Sequence, residues 1–384
     1  MNIVKQAKER EERLIQFRRD LHRIPEIAYQ EEKTSAYITS VLKQHDISWK
    51  KLAGTGVVVT FGKGDSDAVL FRADFDALPV EEKTGLPFSS EHKGMMHACG
   101  HDSHAAILLE YALWLKENES MLTRPVKLVF QPAEEGEGGA KVMIDEGAME
   151  SPSVSEVYAL HISNRLPTGS IGVKPGIAMA YIDEFEMTIK GAGGHASKPH
   201  NCIEPVLIAA QMIVDSQAIV ARGINAMHGA VLTFTTIHSG NVFNVIEDNC
   251  SLGGTIRART KEDRDYIVKR LENKCRAYEL DHGCSIEFNI IGTYPGGYND
   301  KAACKKVENT AKEILGPDCI IEKCLGLGGE DFAFFLDKAP GCYFMLGSGT
   351  GMEKTGPAHS STFDFDESAL KNGLALFMSL APTK

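Results

Sequence analysis

YIDEFEMTIK, residues 181–190, alternates apolar and polar side chains, the period-2 pattern of a strand with one buried face. Downstream, Pro205 to Ala221 reads as a helix, and Val231 to Ser239 and Cys250 to Arg259 as strand-like runs. Lys261 to His282 reads as a second helix and Cys284 to Ile291 as a last strand. The order β-α-β-β-α-β is the ferredoxin-like split motif. It predicts a small α+β domain over residues 180–292, inserted into a larger one made of 1–179 and 293–384.

The flanking sequence has a different rhythm. An opening helix spaces Leu14, Phe17 and Leu21 on one face. Short β-branched runs follow at Val57–Phe61, Ala68–Ala73, Val126–Gln131 and Val157–Leu160. Helical patterns separate them, notably Ala105–Lys116, with Asp102 or Ser103 placed as a cap, and Ala140–Glu146, closed by Gly147. Strands alternating with helices predict an α/β layer structure. The length, 384 residues, suits two or three domains, and 43% hydrophobic against 24% charged residues suits a globular core. A net charge of −11 argues against nucleic acid as a partner, since no basic excess is available for phosphates. No apolar run approaches the ~20 residues that span a bilayer, so no membrane partner is expected. The first residues, MNIVKQAKEREERLIQFRRDLH, are charged throughout and lack the apolar centre of a signal peptide. Nine scattered cysteines favour a reducing compartment, with the cytoplasm as the default location.

Chemistry concentrates in a few motifs. In Met96-His97-Ala98-Cys99-Gly100-His101-Asp102-Ser103-His104, Cys99 and His101 lie two apart and point the same way in an extended turn. Thiolate and imidazole together suit zinc and other first-row cations. A buried cysteine among capping residues would give the same pattern. Gln131-Pro132-Ala133-Glu134-Glu135-Gly136 follows a strand, and adjacent carboxylates at a strand end point in different directions. One can bind a metal while the other faces a water, a division that suits metal-assisted hydrolysis. A solvated Gly-rich loop is the alternative. Asp74, in RADFDALP at the end of Ala68–Ala73, and His161, after Val157–Leu160, bring two further groups to the strand ends where ligands of α/β sheets gather.

Taken in order, DLHRIPE, RADFDALP, MHACGHD, QPAEEG, GGHAS, GGEDFAFF and AHSSTFDFDE span nearly the whole chain. In them the sequence resembles the metal-dependent amidohydrolases that include N-acyl-L-amino-acid amidohydrolases, hippurate hydrolases, auxin-conjugate hydrolases and N-acetyldiaminopimelate deacetylases. The resemblance implies a zinc-peptidase-like α/β catalytic domain with an inserted ferredoxin-like lid, and hydrolysis of the amide of an N-acyl amino acid. It implies two divalent ions (Zn or Mn, with Co or Ni as further options) on Cys99, His101, Glu135, His161 and His359. It makes Glu134 the general base and gives Asp76 the task of orienting a ligating histidine. Asp74 stands where more distant dinuclear peptidases carry a histidine ligand; an ordinary strand-end carboxylate bonded to backbone is the other reading. His195 in GGHAS becomes a lid histidine over the scissile carbonyl, acting within its own chain or across a homodimer formed through the lid. Asn244 and Arg257 become substrate contacts, the arginine pairing with a carboxylate.

Two departures bear on substrate choice. Gly296 and Gly297 stand where relatives carry bulkier apolar residues, and Ser360 where proline is common. The cysteines other than Cys99 (Cys202, Cys250, Cys275, Cys284, Cys304, Cys319, Cys324 and Cys342) read as packing or surface thiols. Three rival readings remain at this level: a dipeptidase or carboxypeptidase with the same dinuclear chemistry, a cysteine hydrolase using Cys99 and His101, and a metal-dependent binding protein without turnover.

Overall fold

Every residue of the strand Ala68–Asp74 is buried, as expected of a strand that is covered on both faces. It runs parallel to Val126–Gln131 on one side and to Val154–Pro167 on the other. These three strands are the middle of an eight-stranded mixed sheet. Its order is Trp49–Leu52, Gly56–Phe61, Val126–Gln131, Ala68–Asp74, Val154–Pro167, Gly341–Gly349, Ile171–Gly172, Ile320–Ile321. The structure is a computed structural model and describes residues 2–62, 66–136, 138–322, 328–349 and 355–384. Cys324 lies outside the described residues.

The helix His101–Asn118 is buried from His101 to Leu115, because it is packed by the sheet and by the helices Glu11–His22 and Leu370–Leu380. It starts at His101 rather than Ala105, and neither Asp102 nor Ser103 caps it. The N-cap is Gly100 at φ +88°, and Ser103 lies in the first turn, its hydroxyl donating to Gly100 O. Glycine is required there twice over. The backbone is left-handed, and a Cβ would come within 2.3 Å of Ile162 Cδ1. The flanking Cys99 and His101 are therefore aimed by a residue without a side chain.

A second compact unit comprises Met179–Gly297 together with Gly328, Gly329 and Glu330. Within the second unit four antiparallel strands lie in the order Ala230–His238, Asn249–Ala258, Tyr181–Lys190, Ser285–Tyr294. Phe185, Met187 and Ile189 of the alternating strand pack under the helices Pro205–Gly223 and Lys261–His282. Gly296 and Gly297 leave space that other side chains occupy: a Cβ on either would meet the Tyr181 ring at 2.4 Å or Met179 Sδ at 2.2 Å.

One expectation is corrected here. Pro205–Gly223, 19 residues, is long and apolar enough by length and composition to cross a membrane. In the fold, Ile208, Ala209, Met212, Ser216 and Ile219 are its buried face against the four-stranded sheet. Its apolar content thus covers a sheet on one side, while Val206, Leu207 and Val214 are exposed on the rest.

Candidate metal centre

Ala68–Asp74 and Val126–Gln131 end side by side, pairing up to Asp74↔Gln131. The residues that follow each strand supply Asp76 and the Glu134–Glu135 pair. His161 is placed differently from the expectation: it lies inside Val154–Pro167, whose pairing with Gly341–Gly349 continues through Met345↔His161. On its other flank the same strand loses its partner after Arg72↔Ala159, which opens the sheet beside His161.

Three side chains meet first. Cys99 Sγ stands 3.3 Å from His161 Nε2, and His101 belongs to the same cluster of donor atoms, all within 4.8 Å of one another. A second cluster of the same compactness joins Cys99, Glu135 and His359, with His359 Nε2 3.3 Å from Glu135 Oε1. Cys99 is common to both. Glu134 joins His101 and Glu135 in a third such group, its Oε2 4.0 Å from His101 Nε2. The five ligands implied by the resemblance are thus gathered in one place, with Glu134 beside them.

The histidines are oriented by what their Nδ1 atoms do. His101 Nδ1 donates to the Asp76 carbonyl at 3.0 Å and carboxylate at 3.2 Å, and His161 Nδ1 donates to Ile162 O at 2.6 Å. Both rings therefore turn Nε2 inward. His101 Nε2 is buried and has no hydrogen-bond partner among the described residues. A buried imidazole nitrogen left without a donor or acceptor is costly unless a cation takes its lone pair. Asp76 also reaches the second strand end, its Oδ2 accepting from Glu135 N at 2.9 Å.

Electrostatics fit the same use. Burial pushes the Cys99 thiol up to about 12, so without a cation it stays neutral, which disfavours a self-activated thiolate nucleophile. Burial, with help from His104 and His101, lowers His161 to about 3, which keeps it an uncharged donor. Burial also pulls His101 down, but the Asp74 carboxylate beside it outweighs that and holds it above the usual histidine range, so a cation bound there displaces a proton. Glu135 resists the burial that would protonate it because His359 and His101 hold it low. Soft sulfur, imidazole and carboxylate at these spacings fit first-row divalent ions.

Both oxygens of Asp74 are engaged, although with His101 and His104 it forms a further compact group of donor atoms. Its Oδ2 accepts from Arg72 Nη1 at 2.6 Å and its Oδ1 from His104 Nδ1 at 2.6 Å, while His104 Nε2 accepts from Ile162 N at 2.9 Å. The carboxylate is bonded at a strand end, but to the side chains of Arg72 and His104 rather than to backbone as the second sequence reading expects. Its partner His104, three residues after His101 on one helix face, was legible in the motif but was assigned no task. Glu31 also escaped the sequence reading. Its Oε1 accepts from Ala133 N at 3.0 Å and its Oε2 from Thr55 Oγ1, and burial pushes it up to about 7. It holds Ala133 at φ +55°, the turn that leads from the strand end into Glu134 and Glu135. Gly139 lies under this turn, where a Cβ would come within 1.9 Å of Pro132 O.

His195, Asn244 and Arg257 belong to the second unit. Gly194–His195 pairs with Val245–Ile246, and Ala196 N donates to Asn244 O at 3.0 Å, so His195 and Asn244 share one two-stranded corner. His195 Nδ1 accepts from Ser197 N at 3.1 Å. Arg257 lies elsewhere, within Asn249–Ala258, paired across to Val231 and Ile182.

Comparison with known proteins agrees with the geometry. The family model described as Peptidase family M20/M25/M40 matches residues 70–383. The chain is 38% identical to thermostable carboxypeptidase 1 of Saccharolobus solfataricus, over 99% of this chain and 98% of that protein. It is 36% identical to an N-acetylcysteine deacetylase of Bacillus subtilis, over 96% of each. Among solved structures, a dinuclear metal-binding peptidase of the M20 family from Bacillus subtilis superposes with a TM-score of 0.83 at 32% identity, covering 98% of this chain and 100% of that one.

Proposed function

The chain belongs to peptidase family M20/M25/M40 and is an amidohydrolase, and from that premise we propose that it cleaves N-acyl amino acids to a carboxylate and a free amino acid. One observation carries this reading: two donor sets, Cys99–His101–His161 and Cys99–Glu135–His359, share a sulfur beside the carboxylate of Glu134. The five residues would hold two divalent ions. Bound there, such ions polarise a scissile carbonyl and make an attacking water more acidic. Glu134 takes that water's proton and returns it to the leaving nitrogen, a task for a carboxylate held near the ligands but not among them. Asp76 fixes the His101 ring and the Glu135 backbone together. His195 stabilises the developing oxyanion, and Arg257 and Asn244 read the amino-acid end, the arginine through its carboxylate.

A carboxypeptidase or dipeptidase reading uses the same chemistry, and relatives named as carboxypeptidases favour keeping it in the test. Chelation is expected to abolish turnover, and Zn, Mn, Co or Ni to restore it; survival of activity in excess chelator would remove the metal mechanism. With metal restored, N-acetyl and N-benzoyl amino acids are expected to exceed dipeptides in kcat/KM. The reverse order moves the assignment to peptidase.

We further propose a homodimer through the second unit. Among the described residues, Ala230–His238 is an edge strand with a partner on one side only, and Ile237 on it is 49% exposed. Val214, on the helix of the same unit, is 73% exposed. Sedimentation should find a dimer that Ile237→Lys dissociates; a wild-type monomer at micromolar concentration refutes it.

A further inference from the structure

His359 is the least secured of the proposed ligands. It sits in a loop, its side chain is 55% exposed, and its φ is +66°, a left-handed conformation that disfavours any residue with a Cβ. Such a residue keeps its conformation only if its surroundings impose it. Backbone bonds do so locally: His359 N to Ala98 O at 2.8 Å, Ser360 N to Pro357 O at 3.1 Å and Lys83 N to Ser361 O at 2.7 Å. Among the described residues, one side chain bonds both ends of the loop. Asn164 Nδ2 donates to Gly356 O at 2.8 Å and to Asp364 O at 3.2 Å, so one amide group spans the loop from before His359 to after it. Inside, Gly356 N donates to Thr362 O at 2.9 Å. Asn164 is buried and lies on Val154–Pro167, the strand that carries His161.

We propose that Asn164 is the positioning residue for His359, and that it ties the Cys99–Glu135–His359 donor set to the strand bearing His161. It touches neither reacting atoms nor an ion. It closes the loop so that His359 Nε2 meets Glu135, and the inference rests on the dinuclear reading above. Both donor sets then depend on one strand, His161 directly and His359 through Asn164. Aspartate at this position has the same shape and no amide hydrogens, and serine keeps one hydroxyl donor, which can reach one carbonyl but not both.

The test titrates metal-free, full-length protein with Co2+, following absorption and bound cobalt by elemental analysis. Wild type should take up two ions. Asn164→Asp and Asn164→Ser should bind one ion as wild type does and the other ~10–100-fold more weakly, the usual cost of losing a group that orients a ligand. The thermal midpoint of metal-free Asn164→Ser should stay close to wild type, while Asn164→Asp, which sets a carboxylate against two carbonyls, should lower it. His359→Ala should weaken the same ion, and adding Asn164→Ser to it should cost little more, since both act on one ligand. If aspartate does not fold, the serine variant and the double variant carry the comparison. Two ions of wild-type affinity in both Asn164 variants would overturn the assignment and leave the dinuclear reading intact. Weakening of both ions in Asn164→Ser together with a lowered midpoint would also overturn it, as a purely structural role. A wild type that saturates at one ion overturns the dinuclear reading itself.

Discussion

Glu134→Gln is expected to retain its metal and to lose turnover by ~10²–10⁴-fold, the usual contribution of a general base. Glutamine keeps the length of the side chain and its hydrogen-bonding reach but cannot accept a proton from water. The neighbouring change should behave differently. Glu135 Oε1 lies 3.3 Å from His359 Nε2, and Glu135 shares a compact donor group with Cys99 and His359. Glu135→Gln removes an anionic ligand and should release metal. Adjacent residues can divide the work because the chain between the strand end and the pair is fixed from both sides. Glu31 holds Ala133 at positive φ, and Asp76 accepts from Glu135 N. Metal content by elemental analysis and kcat on an N-acetyl amino acid, measured on both variants, decide the matter. Equal metal loss in the two, or substantial activity in Glu134→Gln, would show that the two glutamates do not divide the roles this way.

How far the sequence alone reaches can be read from the same residues. Strand identities were legible because central strands are continuous apolar runs: Val126–Gln131 has the expected bounds, and Ala68–Asp74 extends the expected run by one residue. The β-α-β-β-α-β order was legible because period 2 and period 3.6 alternate cleanly over residues 181–294. The end of the His161 strand was not. It depends on where a neighbouring strand stops pairing, which no local pattern encodes. The helix start was misplaced because a left-handed glycine replaces the usual side-chain cap. The proposed ligands Cys99 and His101, two residues apart, carry a spacing signal; His359 was found only through the resemblance, since a lone loop histidine has none. Groups that position the ligands were the hardest to see. Glu31 and Asn164 act on backbone atoms far along the chain, and nothing near them in sequence marks that.

The same holds, with the largest energetic consequence, for Arg72. It is fully buried and bonds three side chains at once: Asp74 Oδ2 at 2.6 Å, Gln131 Oε1 at 2.7 Å and Asp331 Oδ1 at 2.8 Å. Asp331 in turn accepts from Gln131 Nε2 at 2.8 Å and from Ala140 N at 2.9 Å, so one cation joins two strand ends to the helix Gly139–Asp145 beneath the glutamate turn. Burial works to protonate Asp74, but Arg72, with His101 and His104, overcomes it and keeps the carboxylate well below its usual range. Removing the cation strands buried carboxylates without it, and breaking a buried ion pair by deleting one partner costs about 3–5 kcal/mol. Arg72→Met is therefore expected to lose at least about that much stability, and Arg72→Lys part of it, because an ammonium cannot bridge three acceptors in the plane of a guanidinium. Asp331→Asn keeps the shape and should cost less, about 1–3 kcal/mol. Both tryptophans, Trp49 and Trp114, lie in the first unit, so tryptophan fluorescence during urea unfolding of the metal-free protein reports that unit alone. A loss in Arg72→Met no larger than that of Asp331→Asn would mean that the buried cation is not what holds the strand ends in place. A loss in the expected range, already present without metal, would mean that the floor of the centre is built before any ion arrives.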